Sequence, residues 1–156
     1  MDLNKFTERA RGFIQAAQTI AMRENHQRLV PEHLLKALMD DDQGLAANLI
    51  RRAGGAPERV IEAVDAAVAK QPTISGDAGQ IYMDNATGKV LAEAESIAKK
   101  AGDSFVPVER LLMALALVKS KAKDALTAGA VSPQTLNSAI NDIRKGRTAD
   151  SASAEE

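Results

Sequence analysis

The second half of this 156-residue chain repeats the first. A shift of 77 residues carries Ile14 onto Leu91, Ile20 onto Ile97, Glu32 onto Glu109, Leu34-Leu35 onto Leu111-Leu112 and Ala37-Leu38 onto Ala114-Leu115. After a single-residue gap the shift becomes 76, and Pro57, Val60, Ala63 and Val64 fall on Pro133, Leu136, Ala139 and Ile140. The shared proline starts and the paired leucines separate this from the chance recurrence of leucine on helical faces. Two copies of one unit restrict the chain to a pseudo-twofold arrangement with a seam or groove where the copies meet.

The punctuation gives each copy the same helix order: long, short and Pro-started, short, Pro-started. The first helix is predicted over Thr7 to Asn25, with Thr7 as its N-cap and Ala10, Phe13, Ile14, Ala17 and Ala21 on one face. The second runs from Pro31 to Met39 and buries Leu34, Leu35 and Leu38. Asp42 is read as the cap of a third helix ending at Gly54-Gly55, and Asp40 to Asp42 as a solvated turn without calcium-loop spacing. The fourth starts at Pro57. Pro72, Ser75, Gly76, Asp77 and Gly79 then mark a loop.

Helical spacing resumes with Val90, Leu91, Ala94, Ile97, Ala98 and Ala101 and stops at Gly102. A sixth helix is predicted with Pro107 as its first residue, a seventh over Lys121 to Ala128, and an eighth capped by Ser132 and stopped at Gly146. Composition supports all-α: 29 residues are Ala and aromatics make up 3%, a balance that favours helix over strand. Residues 1–146 read as one domain, with repeats at about 3–70 and 81–146. Residues 147–156 contain no core-forming position and read as a flexible linker.

The chemical inventory is thin. With 20 Lys+Arg against 21 Asp+Glu, the chain lacks the basic footprint of a nucleic-acid binder, and no apolar run approaches the ~20 residues needed to span a membrane. The absence of Cys excludes disulfides, thiol catalysis and thiolate zinc, and fits a reducing, cytoplasmic setting. Gly88-Lys89 is followed by Val90 and lacks the earlier glycine of a phosphate-cradling loop, so no nucleotide site is expected. His26 and His33 are separated by Pro31 and are read as surface or partly packed histidines, not ligands. A Ser104, His33 and Asp103 trio has no supporting nucleophile motif. Asp103 after Gly102 suits an Asx turn, and Glu109, as third helical residue, suits a reach back to the helix cap.

The stretches F-T-E-R-A at 6–10, V-P-E-H-L-L-K-A-L at 30–38, G-L-A-A-N-L-I at 44–50, A-K-K-A-G-D-S-F-V-P-V-E-R-L-L at 98–112 and the tail at 146–156 resemble the N-terminal domain of the Clp family of AAA+ unfoldases. The second-half motif and the tail favour its ClpB-type disaggregase branch. The resemblance implies an eight-helix pseudo-twofold domain joined flexibly to a hexameric ATPase and recruiting unfolded or aggregated polypeptide. It implies ATP and magnesium, and a DnaK-type chaperone partner, for the longer protein, and neither nucleic acid nor membrane as partner. It marks Thr7, Asp103 and Glu109 for substrate handling. It also implies an apolar groove along the fifth and sixth helices, where Leu91, Ile97 and Val108 would serve and Glu93 and Arg110 would make the rim more polar. The rival readings are an adaptor-docking domain of a ClpA/ClpC-type protease unfoldase, and a small hydrolase using Asp103 and Glu109, which would need one raised pKa.

Overall fold

The computed structural model describes residues 2–76 and 79–155; Asp77 of the expected loop lies outside them. The described residues form a 3-10 turn at Leu3–Lys5 and eight α-helices: α1 Glu8–Arg23, α2 Pro31–Met39, α3 Leu45–Arg52, α4 Pro57–Ala69, α5 Asn85–Lys100, α6 Val108–Leu117, α7 Lys121–Ala128 and α8 Pro133–Arg144. Two-residue strands β1 (Arg28–Leu29) and β2 (Tyr82–Met83) pair in parallel.

The duplication is visible element by element. A shift of 77 carries the bounds of α1 onto those of α5, and a shift of 76 carries α3 onto α7. Backbone strain repeats as well. Asn25 (φ 58°) and Gly102 (φ 86°), equivalent under the first shift, both turn through the left-handed region after the long helix. Gly54 (φ 86°) and Ala130 (φ 63°), equivalent under the second, do so after the third helix of each copy. Ala130 holds that conformation without glycine's freedom, a local cost the fold absorbs.

The two copies interlock through their entry segments. The Thr7 N–H donates to the Val106 carbonyl at 3.0 Å, and the Asp84 N–H donates to the Leu29 carbonyl at 3.0 Å. The shift of 77 converts the first bond into the second. Each copy thus places the strand before its long helix beside the strand before the other copy's Pro-started helix. Phe6 bridges Val106 in the same way that Met83 pairs with Leu29. The N-caps follow suit: the Thr7 hydroxyl accepts from the Ala10 N–H and the Asp84 carboxylate from the Ala86 N–H.

The core lies where α2 and α6 run through the middle of the bundle, with Leu34, Leu35 and Leu38 matched by Leu111, Leu112 and Leu115, all buried. Full burial of a leucine contributes about 1.5–3 kcal/mol, so these six are a main source of stability. At the seam between copies, a Cβ on Gly129 would stand 2.3 Å from Val60 Cγ2, and one on Gly55 2.8 Å from the Gly129 carbonyl oxygen. Both positions need glycine for close approach of α4 and α7.

Three local expectations are corrected. Gly44 (φ 69°), not Asp42, is the N-cap of α3, and it offers no side-chain bond. Pro107 is the N-cap of α6 instead of its first residue, so Glu109 stands second in the helix. The tail does carry a buried position: Ala149 is 3% exposed, and Ala149, Ala152 and Glu155 hydrogen-bond to the domain.

Candidate functional site

The N-terminal ends of α1 and α6 lie side by side because the Phe6–Val106 bridge joins the strands that lead into them. Thr7 caps α1, Pro107 caps α6, and Glu109 follows in the first turn of α6. The last turn of α8 delivers Arg144 to the same place. One face of Arg144 binds Asp103 (Nη2 to Oδ1, 2.6 Å), and Nη1 donates to Glu109 Oε1 at 2.7 Å. Arg110 adds a second cation to Asp103 (Nε to Oδ2, 3.1 Å), and the Ala149 N–H donates to Asp103 Oδ1 at 2.8 Å.

Burial alone would raise the Asp103 pKa. The hydrogen bonds from Arg144, Ala149 and Arg110 outweigh it and hold the carboxyl below the usual carboxylate range. That direction is opposite to the one a general acid would require of Asp103. Asp103 organises its neighbourhood as a fixed anion: two guanidinium groups and a backbone amide converge on it.

Beside this cluster a cleft of about 350 Å3 opens. Its apolar lining comes from Leu45 and Leu49 of α3, Pro107, and Ile140 and Ile143 of α8; Arg9, Glu109, Arg144 and Arg147 supply charge, and Glu155 closes one side. The Glu155 carboxylate accepts hydrogen bonds from the Thr7 hydroxyl and from the Val108 N–H, the latter at 3.0 Å.

The structure therefore brings Thr7, Asp103 and Glu109 together, linked by Arg144 and the tail. Of the expected groove residues it buries Leu91 and Val108 and leaves Ile97 and Glu93 partly exposed. Leu91 and Val108 are core residues with 0% and 1% exposure, because their positions on α5 and α6 face the interior. Arg110, expected at a polar rim, is buried against Asp103. Ile97 is half-buried and packs on the core, and Glu93 is half-buried. Arg144, Glu155 and Ala149 were missed by sequence reasoning. Arg144 carried one signal, a lone cation in the last turn of α8 where a shift of 76 finds Val68 in the first copy.

A second buried polar pair lies in the first copy. His26 Nδ1 and His33 Nε2 are 2.8 Å apart, and the Val30 N–H donates to His33 Nδ1 at 3.0 Å. With Nδ1 of His33 accepting, its Nε2 carries the proton and donates to His26, so both rings are neutral Nε2–H tautomers. Burial, reinforced by the neighbouring ring, pushes the His33 pKa down to about 4; burial also lowers that of His26, against the nearby Glu24. These histidines are buried and partnered, not at the surface. Among the described residues no group of three or more His, Cys, Asp or Glu is placed to hold a metal ion. Gly88 and Lys89 lie inside α5, where helical backbone amides are already bonded and cannot cradle a phosphate. No helix among the described residues is long and apolar enough to cross a membrane.

Comparison with known proteins agrees with this architecture. The family model described as Clp repeat (R) N-terminal domain matches residues 5–143. "Chaperone protein ClpB" of Mesorhizobium japonicum is 56% identical over 157 residues, covering 100% of this chain and 18% of that protein. The protein of the same name from Rhodopseudomonas palustris is 57% identical, covering 99% of this chain and 18% of its own length. The chain thus spans about a fifth of these relatives. The crystal structure of the Hsp104 N-terminal domain from Candida albicans superposes with a TM-score of 0.86 at 24% identity, covering 97% of this chain and 99% of the other, and shows the same fold. The chain belongs to the Clp repeat (R) N-terminal domain family, in its ClpB-type form.

Proposed function

We propose that this domain captures unfolded or aggregated polypeptide weakly and passes it to the ATPase modules of a ClpB-type disaggregase. The observation that carries the reading is the cleft beside Thr7 and Glu109: the partly exposed Leu45 and Ile143, set over buried Leu49 and Ile140, lie within a charged rim. Apolar burial is non-directional and accepts many sequences, which suits capture of unfolded chains. Arg9, Arg147 and Glu109 at the rim add polar contacts to a peptide backbone or its charged side chains. In the longer protein we place this domain on a homohexamer that uses ATP and magnesium and works with a DnaK-type chaperone system in the cytoplasm. Six mobile copies would then convert weak capture into useful avidity. This reading sets capture in the α3–α8 cleft at the N-terminus of α6, where the resemblance implies a groove along the fifth and sixth helices. Titrating isotope-labelled domain with a permanently unfolded polypeptide should shift the amides of Leu45, Leu49, Glu109 and Ile143 together. Shifts scattered over the surface, or none at millimolar ligand, would sink the assignment.

A further inference from the structure

Residues 147–155 make contacts that a bound peptide would make. The Ala149 carbonyl accepts from the N–H groups of Ser104 and Phe105, both at 2.9 Å, while its own N–H donates to Asp103. The Ala152 carbonyl accepts from the Glu8 N–H at 2.8 Å, which satisfies an orphan donor at the start of α1. Glu155 does the same for the Val108 N–H at the start of α6 and also takes the Thr7 hydroxyl. Thr148, Ala149, Ala154 and Glu155 form one wall of the cleft. The segment therefore fills backbone donors of the domain with carbonyl and carboxylate acceptors of its own, sequence-tolerant contacts that an extended foreign chain can reproduce.

We infer that residues 147–155 are an intramolecular strap that competes with a captured, carboxylate-bearing polypeptide for the Thr7–Val108 mouth of the cleft. The inference rests on the polypeptide-capture reading above. Docked, the strap closes the mouth with Glu155; released, it leaves the Glu8, Ser104, Phe105 and Val108 amides and the Thr7 hydroxyl to the incoming chain. Burial raises the Glu155 pKa against the two hydrogen bonds that lower it, so those bonds offset only part of the cost of desolvating its carboxylate. The apparent affinity for polypeptide is reduced by the fraction of time the strap stays docked.

The test uses the whole 156-residue chain and a synthetic peptide of about twelve residues with Leu at alternate positions and one internal Glu, beside its Gln counterpart and a C-terminally amidated form. Amide exchange at Glu8, Ser104, Phe105, Val108 and Ala149 reports the strap. Glu155→Lys should accelerate exchange at these five amides and tighten the Glu peptide about fivefold or more. Ala149→Asp, which sets a carboxylate against Asp103, releases the strap by a different contact and should do the same. In the unmodified chain, saturating peptide should remove protection from the Ala149 amide itself. The Gln peptide distinguishes side-chain carboxylate recognition, and the amidated form recognition of a terminal one. Equal affinity with the strap released, or Ala149 still protected in the peptide-bound chain, overturns the strap and leaves capture standing. Absence of peptide binding to every chain overturns both.

Discussion

Positions 26 and 33 of the first copy and 103 and 110 of the second are equivalent under the shift of 77, yet they hold opposite kinds of chemistry. Each pair sits seven residues apart, one partner in the turn after the long helix and the other in the first turn of the short helix that follows. In the first copy the pair is His26 and His33, both neutral and joined by one hydrogen bond of 2.8 Å. In the second it is Asp103 and Arg110, an ion pair at 3.1 Å. The same backbone therefore demands a buried polar contact at this corner without dictating its charge. What differs is the company. Asp103 also holds Arg144 and the tail amide of Ala149, so the charged version anchors a functional edge, whereas the histidine version satisfies Val30 and ends there.

The largest test of that contrast is Asp103→Ala. It leaves buried Arg110 without its anion and the half-buried Arg144 with Glu109 alone, a change that costs about 3–5 kcal/mol. Denaturant unfolding should show it, with loss of Ala149 amide protection; a cost under about 1 kcal/mol would mean that the ion cluster is ornamental to stability. The second test is acid. A histidine whose folded pKa is depressed contributes stability that is fully present at neutral pH and declines as pH falls through its unfolded value of about 6.5 toward the folded value of about 4. Between pH 7 and 5 this amounts to about 2 kcal/mol. Asp103, depressed in the other sense, keeps its contribution in that window and loses it only below the ordinary aspartate range. His33→Gln retains an acceptor for Val30 and should remove most of the slope between pH 7 and 5, and an unchanged slope would place the acid sensitivity elsewhere.

The smallest effect is expected at Glu32 and Glu109, equivalent acids one residue before His33 and Arg110. Glu109 is ion-paired with Arg144, and Glu109→Gln should cost about 1 kcal/mol. Glu32 is buried, and that burial lifts its pKa, so its charge opposes folding above that pKa. Glu32→Gln should be neutral or stabilising by a few tenths of a kcal/mol at pH 7, as paired thermal melts of the two variants would show.

Much of this fold was legible because it rests on local signals applied twice. Pro31, Pro57 and Pro133 start helices where the missing N–H is harmless, and Thr7 and Ser132 cap as expected. Thr7, Asp103 and Glu109 were marked as a group only by the resemblance. Their meeting depends on the Phe6–Val106 bridge, a contact across about a hundred residues with no local signature. Leu91 and Val108, groove residues only by what the resemblance implies, are core residues; periodicity tells which helical face is apolar, not whether that face meets core or solvent. The tail was misread for a related reason: Ala149 is small and flanked by polar residues, and its burial comes from backbone hydrogen bonds to Asp103, Ser104 and Phe105.

The reciprocal pairing of entry strands gives the molecule the topology of a homodimer written on one chain. Neither half completes its own edge; each borrows the other's strand, as subunits do when they exchange an element. In a true dimer such an arrangement would dissolve on dilution. Here the connection between Ala69 and Tyr82 keeps the partner at a fixed effective concentration, so the melting temperature should not depend on how much protein is present. The price is autonomy: a half released by cleavage in that connection would expose an unpaired edge and half of the leucine core, and would persist only by finding its counterpart again.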